Sequence, residues 1–474
     1  MKPESHAFKR RAAEALRYQP LQDALAQFED GWVAKRRTVV ERLPEFEQLR
    51  AQGAAIRDEA LRNLDLYLEQ YESAVQRNGG QVHWARDAGE AQEIVRRICR
   101  EAGARTVTRG KSMAGEEIGV TEALQADGIR VVDTDLGEYI IQLAEQRPSH
   151  IVFPCVHLTG REVAELFRRH HAGKTGERDR STVSAIVQEA REVLREEFFA
   201  AEVGITGANF LVAETGSNFI VTNEGNGDLT CTLPRVHVVT TGIERVVPTL
   251  EDASTLLRLL GRSATGQEIT AYTTLSTGPR RSDDPDGPDE YHVVLVDNGR
   301  SRMLAGEFRE MLRCIRCGAC MNHCPVYRSI GGHPYGWVYP GPMGAVLTPL
   351  HVGLKEAGDL PNACTMNGHC AQVCPVQIPL PSLIRKLRGR QFAAGLTPRT
   401  TVLGLRAWAF TARHPTLYHA LTRWPIALLR RLGRRRGRLR RLPLAGGWIS
   451  QRDFPAPAGK TFFSQWPRRG EDER

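Results

Sequence analysis

The spacing of apolar residues along the chain changes near residue 80. Residues 1 to about 75 are rich in Ala, Leu, Glu, Gln and Arg, and their apolar positions recur at helical intervals, which predicts long helices. Beyond residue 80, short β-branched runs alternate with amphipathic stretches. This alternation is typical of βαβ units and a parallel sheet. We therefore expect an α/β domain preceded by an N-terminal helical segment.

The pattern also places individual elements. Helices are predicted at 88–101 and 116–126, and strands at 81–84, 105–108, 128–133, 150–154, 208–213, 218–222, 235–240 and 291–296. Residues 279–290, rich in Pro, Asp, Gly and Arg, predict an exposed loop. Four regions follow: an N-terminal helical region (1–75), an α/β domain (76–300), a cysteine-rich module (301–395) and a basic tail, helical and then irregular (396–474).

Composition is that of a folded protein. The chain has 474 residues, 41% of them hydrophobic, and no apolar run reaches the roughly 18 residues of a membrane-spanning helix. The first eleven residues are charged and lack the apolar core of a secretory signal. Cys99, Cys155 and Cys231 are isolated, so we expect buried free thiols; unpaired thiols beside oxygen-sensitive clusters favour a reducing, cytoplasmic location.

The other seven cysteines lie between Cys314 and Cys374. The first four, with Pro325, read C-x2-C-x2-C-x3-C-P, the spacing that holds iron–sulfur clusters in bacterial ferredoxins. Zinc sites use paired C-x2-C knuckles, so a structural zinc site is disfavoured. This spacing predicts an α-helical, ferredoxin-type module with two clusters.

The second cysteine motif departs from this pattern. Aligned on its final C-x3-C-P, it has Cys364 at the first ligand position and Asn367 at the second. In two-cluster modules the last cysteine of each motif ligates the other cluster. Cluster 1 is then predicted to use Cys314, Cys317, Cys320 and Cys374, and cluster 2 only Cys324, Cys364 and Cys370. We expect one 4Fe-4S cluster and a second that is 4Fe-4S or 3Fe-4S, because an amide is a poor ligand for iron.

Two further features suggest binding sites. Lys111 and Ser112 lie between a predicted strand and a predicted helix, where helix amides and a lysine would favour a carboxylate. A plain turn with a surface lysine is the alternative. Between Arg423 and Arg441 there are nine arginines and no acid, interleaved with apolar residues such as Trp424. This tail suits a membrane surface or a partner protein more than nucleic acid, and a solvated basic face is also open.

Beyond these patterns, the chain resembles the lactate utilisation protein B family over roughly residues 30 to 470. The resemblance is carried by Gly110-Lys-Ser-Met with Glu116-Glu-Ile-Gly, by residues 135–143, 207–218 and 223–227, and by the order and spacing of these segments. It implies an α/β domain similar to the sugar-phosphate isomerase and coenzyme A transferase group. It also implies an iron–sulfur subunit of a complex that oxidises L-lactate to pyruvate. The implied partners are a cysteine-rich subunit and a small α/β subunit.

The predicted role is electron transfer. No G-x-G-x-x-G follows a strand, so a two-electron nucleotide cofactor is not indicated, and the catalytic residues of lactate activation stay unassigned. We therefore expect an electron carrier rather than the lactate-activating subunit, cytoplasmic or peripheral at the inner face of the membrane. The alternatives are an iron–sulfur subunit of another 2-hydroxy acid (glycolate-type) oxidase, or a non-redox protein with structural clusters and a nucleic-acid-binding tail.

Overall fold

A six-stranded parallel sheet forms the centre of the α/β region. The computed structural model describes residues 3–175, 178–442, 449 and 452–466. The strands are β1 (Gln81–Ala85), β2 (Thr106–Arg109), β3 (Arg130–Asp133), β4 (Val203–Thr206), β7 (Val236–Gly242) and β10 (Glu290–Val296), in the spatial order β1-β10-β7-β4-β2-β3. Every neighbouring pair is parallel. The chain leaves β2 toward β3 at one edge of the sheet, whereas it leaves β4 toward β7 in the opposite direction. The cleft between β2 and β4 is therefore a topological switch point.

A second, four-stranded sheet was not expected from the sequence. It contains β5 (Phe210–Val212), β6 (Ser217–Thr222), β8 (Val246–Val247) and β9 (Tyr272–Ser276), in the order β8-β5-β6-β9. The runs predicted at 208–213 and 218–222 are therefore strands, but they pair antiparallel with each other and lie outside the central sheet.

Three other predictions differ from the structure. The strand predicted at 150–154 is wrong, because the ring nitrogen Nδ1 of His150 accepts hydrogen bonds from the amides of Val152 and Phe153 and closes a turn. The helix predicted at 116–126 is broken at Gly119, whose φ is 68°. Strand β4 was missed because it contains Gly204, where a Cβ would lie 1.9 Å from the carbonyl oxygen of Thr230. A central strand therefore needs glycine here, which weakens its sequence signal.

Helices cover both faces of the central sheet. The α/β region contains Ala88–Glu101, Met113–Ile118, Val120–Ala126, Leu136–Leu143, Gly160–His170, Ala172–Thr175, Val183–Ala200, Asn226–Thr232 and Leu250–Ala264, with the 3-10 turn Ile243–Arg245. Within β10, Val294 packs with Val95 on one face, whereas Val293 packs with Tyr71 on the other. Burial on both faces explains the continuous apolar runs of these strands.

The N-terminal helices and the cysteine-rich module share one hydrophobic core with the second sheet. The N-terminal elements are Ser5–Ala7, Phe8–Ala15, Gln19–Phe28, Glu29–Val33, Ala34–Glu41, Phe46–Arg62 and Leu64–Arg77. Those of the module are Arg300–Leu304, Arg309–Arg313, Ala319–Asn322, Pro325–Ile330, His333–Tyr335, Gly341–Val352, Leu354–Ala357, Leu360–Asn362, His369–Gln372 and Leu380–Ala393. Phe28, Phe210 and Leu383 belong to one buried cluster. The four-region division stays a prediction, and the structure forms one compact unit up to Arg390.

The basic tail is a separate unit that begins at Gln391. It contains the helices Arg399–Ala412, Pro415–Gly433 and Phe462–Gln465 and the antiparallel strands Arg438–Leu439 and Phe454–Pro455. Residues 443–448, 450, 451 and 467–474 of the predicted irregular end lie outside the described residues. Within the described chain, no helix is long and apolar enough to span a bilayer.

A buried ion network joins the α/β region to the cysteine-rich module. Arg300 donates two hydrogen bonds to Glu117, of 2.8 and 2.9 Å, and one of 2.6 Å to Glu244. Tyr339 of the module also donates to Glu117, at 2.5 Å. Burial alone would raise the pKa of Glu244, but Arg300 and its neighbouring arginines lower it to about 2. Arg300 likewise holds the pKa of Glu117 below its ordinary value against the effect of burial, so both carboxylates are charged and depend on Arg300.

We expect Arg300→Met to destabilise the protein by about 3–5 kcal/mol, since it leaves two buried carboxylates without their main partner. The matched control is Arg302→Met, an exposed arginine in the same helix, which should change stability by less than about 0.5 kcal/mol. Urea denaturation of the anaerobic protein measures both. Equal effects of the two substitutions would contradict the central role of the network.

Candidate iron–sulfur centres and an adjoining cavity

The first set of thiols surrounds one cavity. Cys314, Cys317, Cys320 and Cys374 line it, and its other walls are apolar: Met311, Ile315, Met343, Val376, Ile378 and Leu380. Burial, followed by the nearby thiols of Cys374 and Cys314, raises the pKa of Cys317 above its ordinary value. The four thiols surround this cavity and do not converge on one point. Within residues 3–175, 178–442 and 452–466, no three Cys, His, Asp or Glu side chains are placed to hold a single metal ion.

The second set of thiols lies beside the first. Burial, followed by the thiols of Cys364 and Cys324, raises the pKa of Cys370 to about 12. The thiol of Cys370 also contributes to the raised pKa of Cys320, after burial and the first-set thiols Cys317 and Cys314. The structure thus brings together the two groups of cysteines expected from the crossed pattern. Of the remaining three, Cys99 and Cys231 are buried and Cys155 is half-buried, and all are free.

The two cysteine loops follow the same backbone course. In each loop the residues on both sides of the second ligand position are left-handed. They are Arg316 (φ 57°) and Gly318 (φ 75°) around Cys317, and Met366 (φ 59°) and Gly368 (φ 85°) around Asn367. A four-residue helix follows each loop, Ala319–Asn322 and His369–Gln372. Asn367 is exposed, and its side-chain oxygen accepts a hydrogen bond of 3.3 Å from the amide of His369.

Backbone amides and arginines surround the thiols with positive charge. The amides of Ile378, Tyr327 and Met366 donate to the sulfurs of Cys374, Cys324 and Cys364, at 3.4, 3.5 and 3.3 Å. Three arginines donate to cysteine carbonyl oxygens: Arg50 to Cys374 (2.8 and 3.1 Å), Arg245 to Cys314 (3.2 Å) and Arg388 to Cys364 (2.8 Å). Such donors stabilise thiolate-ligated, anionic clusters, so these residues fit an iron–sulfur centre.

A larger cavity of about 600 Å³ lies at the carboxyl ends of the central strands. Its lining includes Gly110, Lys111 and Ser112 after β2, and Gly207 and Asn209 after β4, on the two sides of the switch point. Open α/β sheets bind ligands at this position, and the volume falls within the range of small-molecule sites. Arg316, from the first cysteine loop, also lines it.

The predicted anion site lies on this lining, but its geometry differs from the expectation. The ammonium group of Lys111 donates to the carbonyl oxygen of Val152 at 2.5 Å and lies 3.9 Å from Asp135. The side-chain oxygen of Ser112 accepts from the amide of Gly115 at 3.0 Å, which caps a helix of only six residues. Lys111 is therefore not a surface lysine, and its charge is already partly neutralised.

Comparison with known proteins agrees with this arrangement. The LUD domain matches residues 68–296, and the 4Fe-4S dicluster domain matches residues 310–378. Lactate utilization protein B of Bacillus licheniformis is 40% identical over 481 residues, with 100% of both chains covered. That of Geobacillus kaustophilus is 41% identical, covering 98% of this chain and 97% of its own. The chain belongs to the lactate utilization protein B family.

Another relative carries an electron-transport name. The uncharacterized electron transport protein YkgF of Escherichia coli is 40% identical, with 98% of each chain covered. A DUF162 family protein of Deinococcus radiodurans, of known structure, covers 49% of the chain at 13% identity with a TM-score of 0.28, too low to support an argument. Family membership confirms the predicted resemblance and the α/β fold with a helical iron–sulfur region. The names of these relatives, together with the 4Fe-4S domain, support a role in electron transfer and lactate utilization.

Sequence reasoning missed the arginines of this site. Arg245 and Arg316 both line the large cavity; Arg245 lies outside any recognisable motif, and Arg316 is one of the two variable residues of the first C-x2-C spacing. The position of Arg316 inside the C-x2-C spacing was the available signal, because the residue between two ligands stays close to the cluster.

Proposed function

We propose that this protein is the electron-transferring iron–sulfur subunit of a complex that oxidises L-lactate to pyruvate. The observation that carries the proposal is the packing of two thiol sets against each other and beside a ligand-sized cavity of the α/β domain. The lactate part rests on the names of relatives that match along the whole chain. As partners we propose a cysteine-rich subunit and a small α/β subunit.

Cluster 1 is assigned to Cys314, Cys317, Cys320 and Cys374, and cluster 2 to Cys324, Cys364 and Cys370. When bound, each cluster supplies one-electron transfer. The chain's own residues provide the surroundings: apolar walls exclude water from the first set, and Arg50 and Arg245 place positive charge at the ligand loops. Oxidation of lactate releases two electrons and two protons, so two one-electron centres match the number of electrons.

Peripheral binding to an anionic membrane is proposed for the basic tail. No acidic residue lies between Asp359 and Asp453. The two long tail helices have almost no buried residues; in Arg399–Ala412 none is buried, and in Pro415–Gly433 only Gly433 is. Trp408 and Trp424 are 63% and 82% exposed. Exposed aromatic side chains beside arginines are suited to the interface of an anionic bilayer.

Substitutions of individual thiols test the crossed assignment. Cys317→Ala and Cys374→Ala should cause the same loss, removal of cluster 1, although the residues are far apart in sequence. Cys364→Ala should affect the other cluster. Anaerobic iron and sulfide analysis with electron paramagnetic resonance measures this, and unchanged iron in the first two variants would refute the assignment. Bleaching by dithionite of the visible absorbance in wild type separates an electron relay from structural clusters.

Asn367 and Cys317 permit a reciprocal test, because they occupy equivalent positions in loops of equal backbone course. Wild type should give an oxidised 3Fe-4S signal, at once or after mild oxidation. Asn367→Cys should suppress that signal, because a fourth thiolate holds the missing iron. Cys317→Asn should instead make cluster 1 lose iron. Two stable 4Fe-4S clusters in oxidised wild type would show that Asn367 does not leave a ligand position open.

Neutralising the tail tests membrane binding. Replacing Arg430, Arg431, Arg434, Arg435 and Arg436 with Gln should abolish sedimentation with phosphatidylglycerol-containing vesicles but leave iron content unchanged. Wild-type binding should fall with salt, since exposed charges are screened over about 8 Å at physiological ionic strength. The charge-matched control replaces exposed arginines of the first unit, Arg10, Arg42, Arg62, Arg100 and Arg169. Two results would contradict binding to an anionic membrane. One is that the protein binds neutral phosphatidylcholine vesicles as strongly as anionic ones. The other is that it binds only to the partner subunits, independently of salt.

A further inference from the structure

Arg316 links the cluster module to the large cavity. It lies between Cys314 and Cys317 in the first ligand loop, and its side chain is 9% exposed and lines the cavity. Its guanidinium stacks 4.6 Å from the ring centre of Tyr339, and its Nη2 lies 3.6 Å from Glu244. Its Nε and Nη1 are buried and have no hydrogen-bond acceptor among the described residues. A buried guanidinium without acceptors is costly unless a ligand supplies them.

Positive charge is in excess around Arg316. Among the described residues, four buried guanidinium groups surround this point and two carboxylates balance them: Arg57, Arg245, Arg300 and Arg316 against Glu117 and Glu244. Thiolates of the first set account for part of the difference. Arg245 and Arg316 both line the cavity, where an anion would complete the balance.

The cavity is polarised in a way that limits the anion. At the end near β3, Asp135 and Glu224 line it, and burial followed by Asp135 raises the pKa of Glu224. A second negative charge on the ligand would be repelled by these carboxylates, so the cavity favours an anion with a single charge. Much of the remaining lining is apolar, including Leu136, Ile140, Phe153, Ile220 and Leu260. Thr222 also lines the cavity, and its hydroxyl is buried and has no hydrogen-bond partner among the described residues.

We propose that this cavity binds a 2-hydroxy or 2-oxo monocarboxylate, with Arg316 as the partner of its carboxylate. Thr222 offers a hydrogen bond to the hydroxyl or keto oxygen, and the apolar wall accommodates the carbon chain. The choice of this acid class rests on the proposed function in lactate oxidation. It adds to that function a direct role for this chain in substrate binding, within the loop that holds Cys314 and Cys317.

Binding of L-lactate and pyruvate to the anaerobic, cluster-loaded full chain tests this by isothermal titration calorimetry. Arg316→Asn, chosen because Asn tolerates the left-handed backbone, should weaken binding about ten- to a hundredfold. The control is Arg313→Gln. Arg313 directly precedes Cys314, but its guanidinium pairs with Asp58 away from the cavity, so this substitution should leave the affinity for both acids unchanged. Thr222→Val should weaken binding about two- to tenfold.

Each outcome decides the proposal. If Arg316→Asn loses iron, Thr222→Val carries the test, because Thr222 lies on β6, in the α/β region. Absence of binding to wild type, or equal affinity of wild type and the Thr222 and Arg316 variants, overturns it. If Lys111→Met weakens binding of the acid and the Arg316 and Thr222 variants do not, the carboxylate binds at Lys111, and the proposal is also overturned. Reduction of the clusters by dithionite is recorded on the same samples. Wild-type protein whose clusters are reducible but which binds neither acid would reject this proposal and leave the proposed electron transfer standing.

Discussion

The pairing of Arg300 with two buried carboxylates is the interaction on which the rest of the site depends. Glu117 belongs to the helix after β2, Glu244 to the turn after β7, and Arg300 to the helix after β10. One guanidinium therefore sets the relative positions of three strand ends. Tyr339 and Arg316 contact the same carboxylates from the cysteine-rich module. The cavity and the first thiol set are held together through this network.

Such a network is costly to bury, and its geometry explains why it is tolerated. Every oxygen of Glu117 has a donor, from Arg300, Asn298 or Tyr339. Replacing the network with apolar side chains would recover the desolvation cost, but it would also remove the fixed orientation between the α/β region and the cluster loops. The hydrophobic core that contains Phe28 and Phe210 also packs the N-terminal helices against the cysteine-rich module and the second sheet.

The sequence predicted those features of the structure that depend on residues close together in the chain. The α/β alternation, the helix at Ala88–Glu101 and the cysteine spacing depend on neighbours in the chain, and they could be predicted. The second sheet could not, because β8 and β9 were not predicted as strands and their pairing with β5 and β6 joins distant segments. The position of Lys111 was predicted at a strand end, but its contact with Val152 depends on a turn that resembles a strand in sequence. Arg316 was missed because its role comes from tertiary placement.

The unequal exposure of the two cysteine loops gives the module an inner and an outer end. Cys317 is 8% exposed and faces the inner thiol cavity beside Arg316, whereas the equivalent Asn367 and the neighbouring His369 are exposed. The short helices after the loops bring His323 and His369 to 5.0 Å between ring centres, so the two ends are adjacent. This arrangement is directional: the Cys317 position is closed off by the protein, whereas the Asn367 position is open to solvent and can be reached by another molecule.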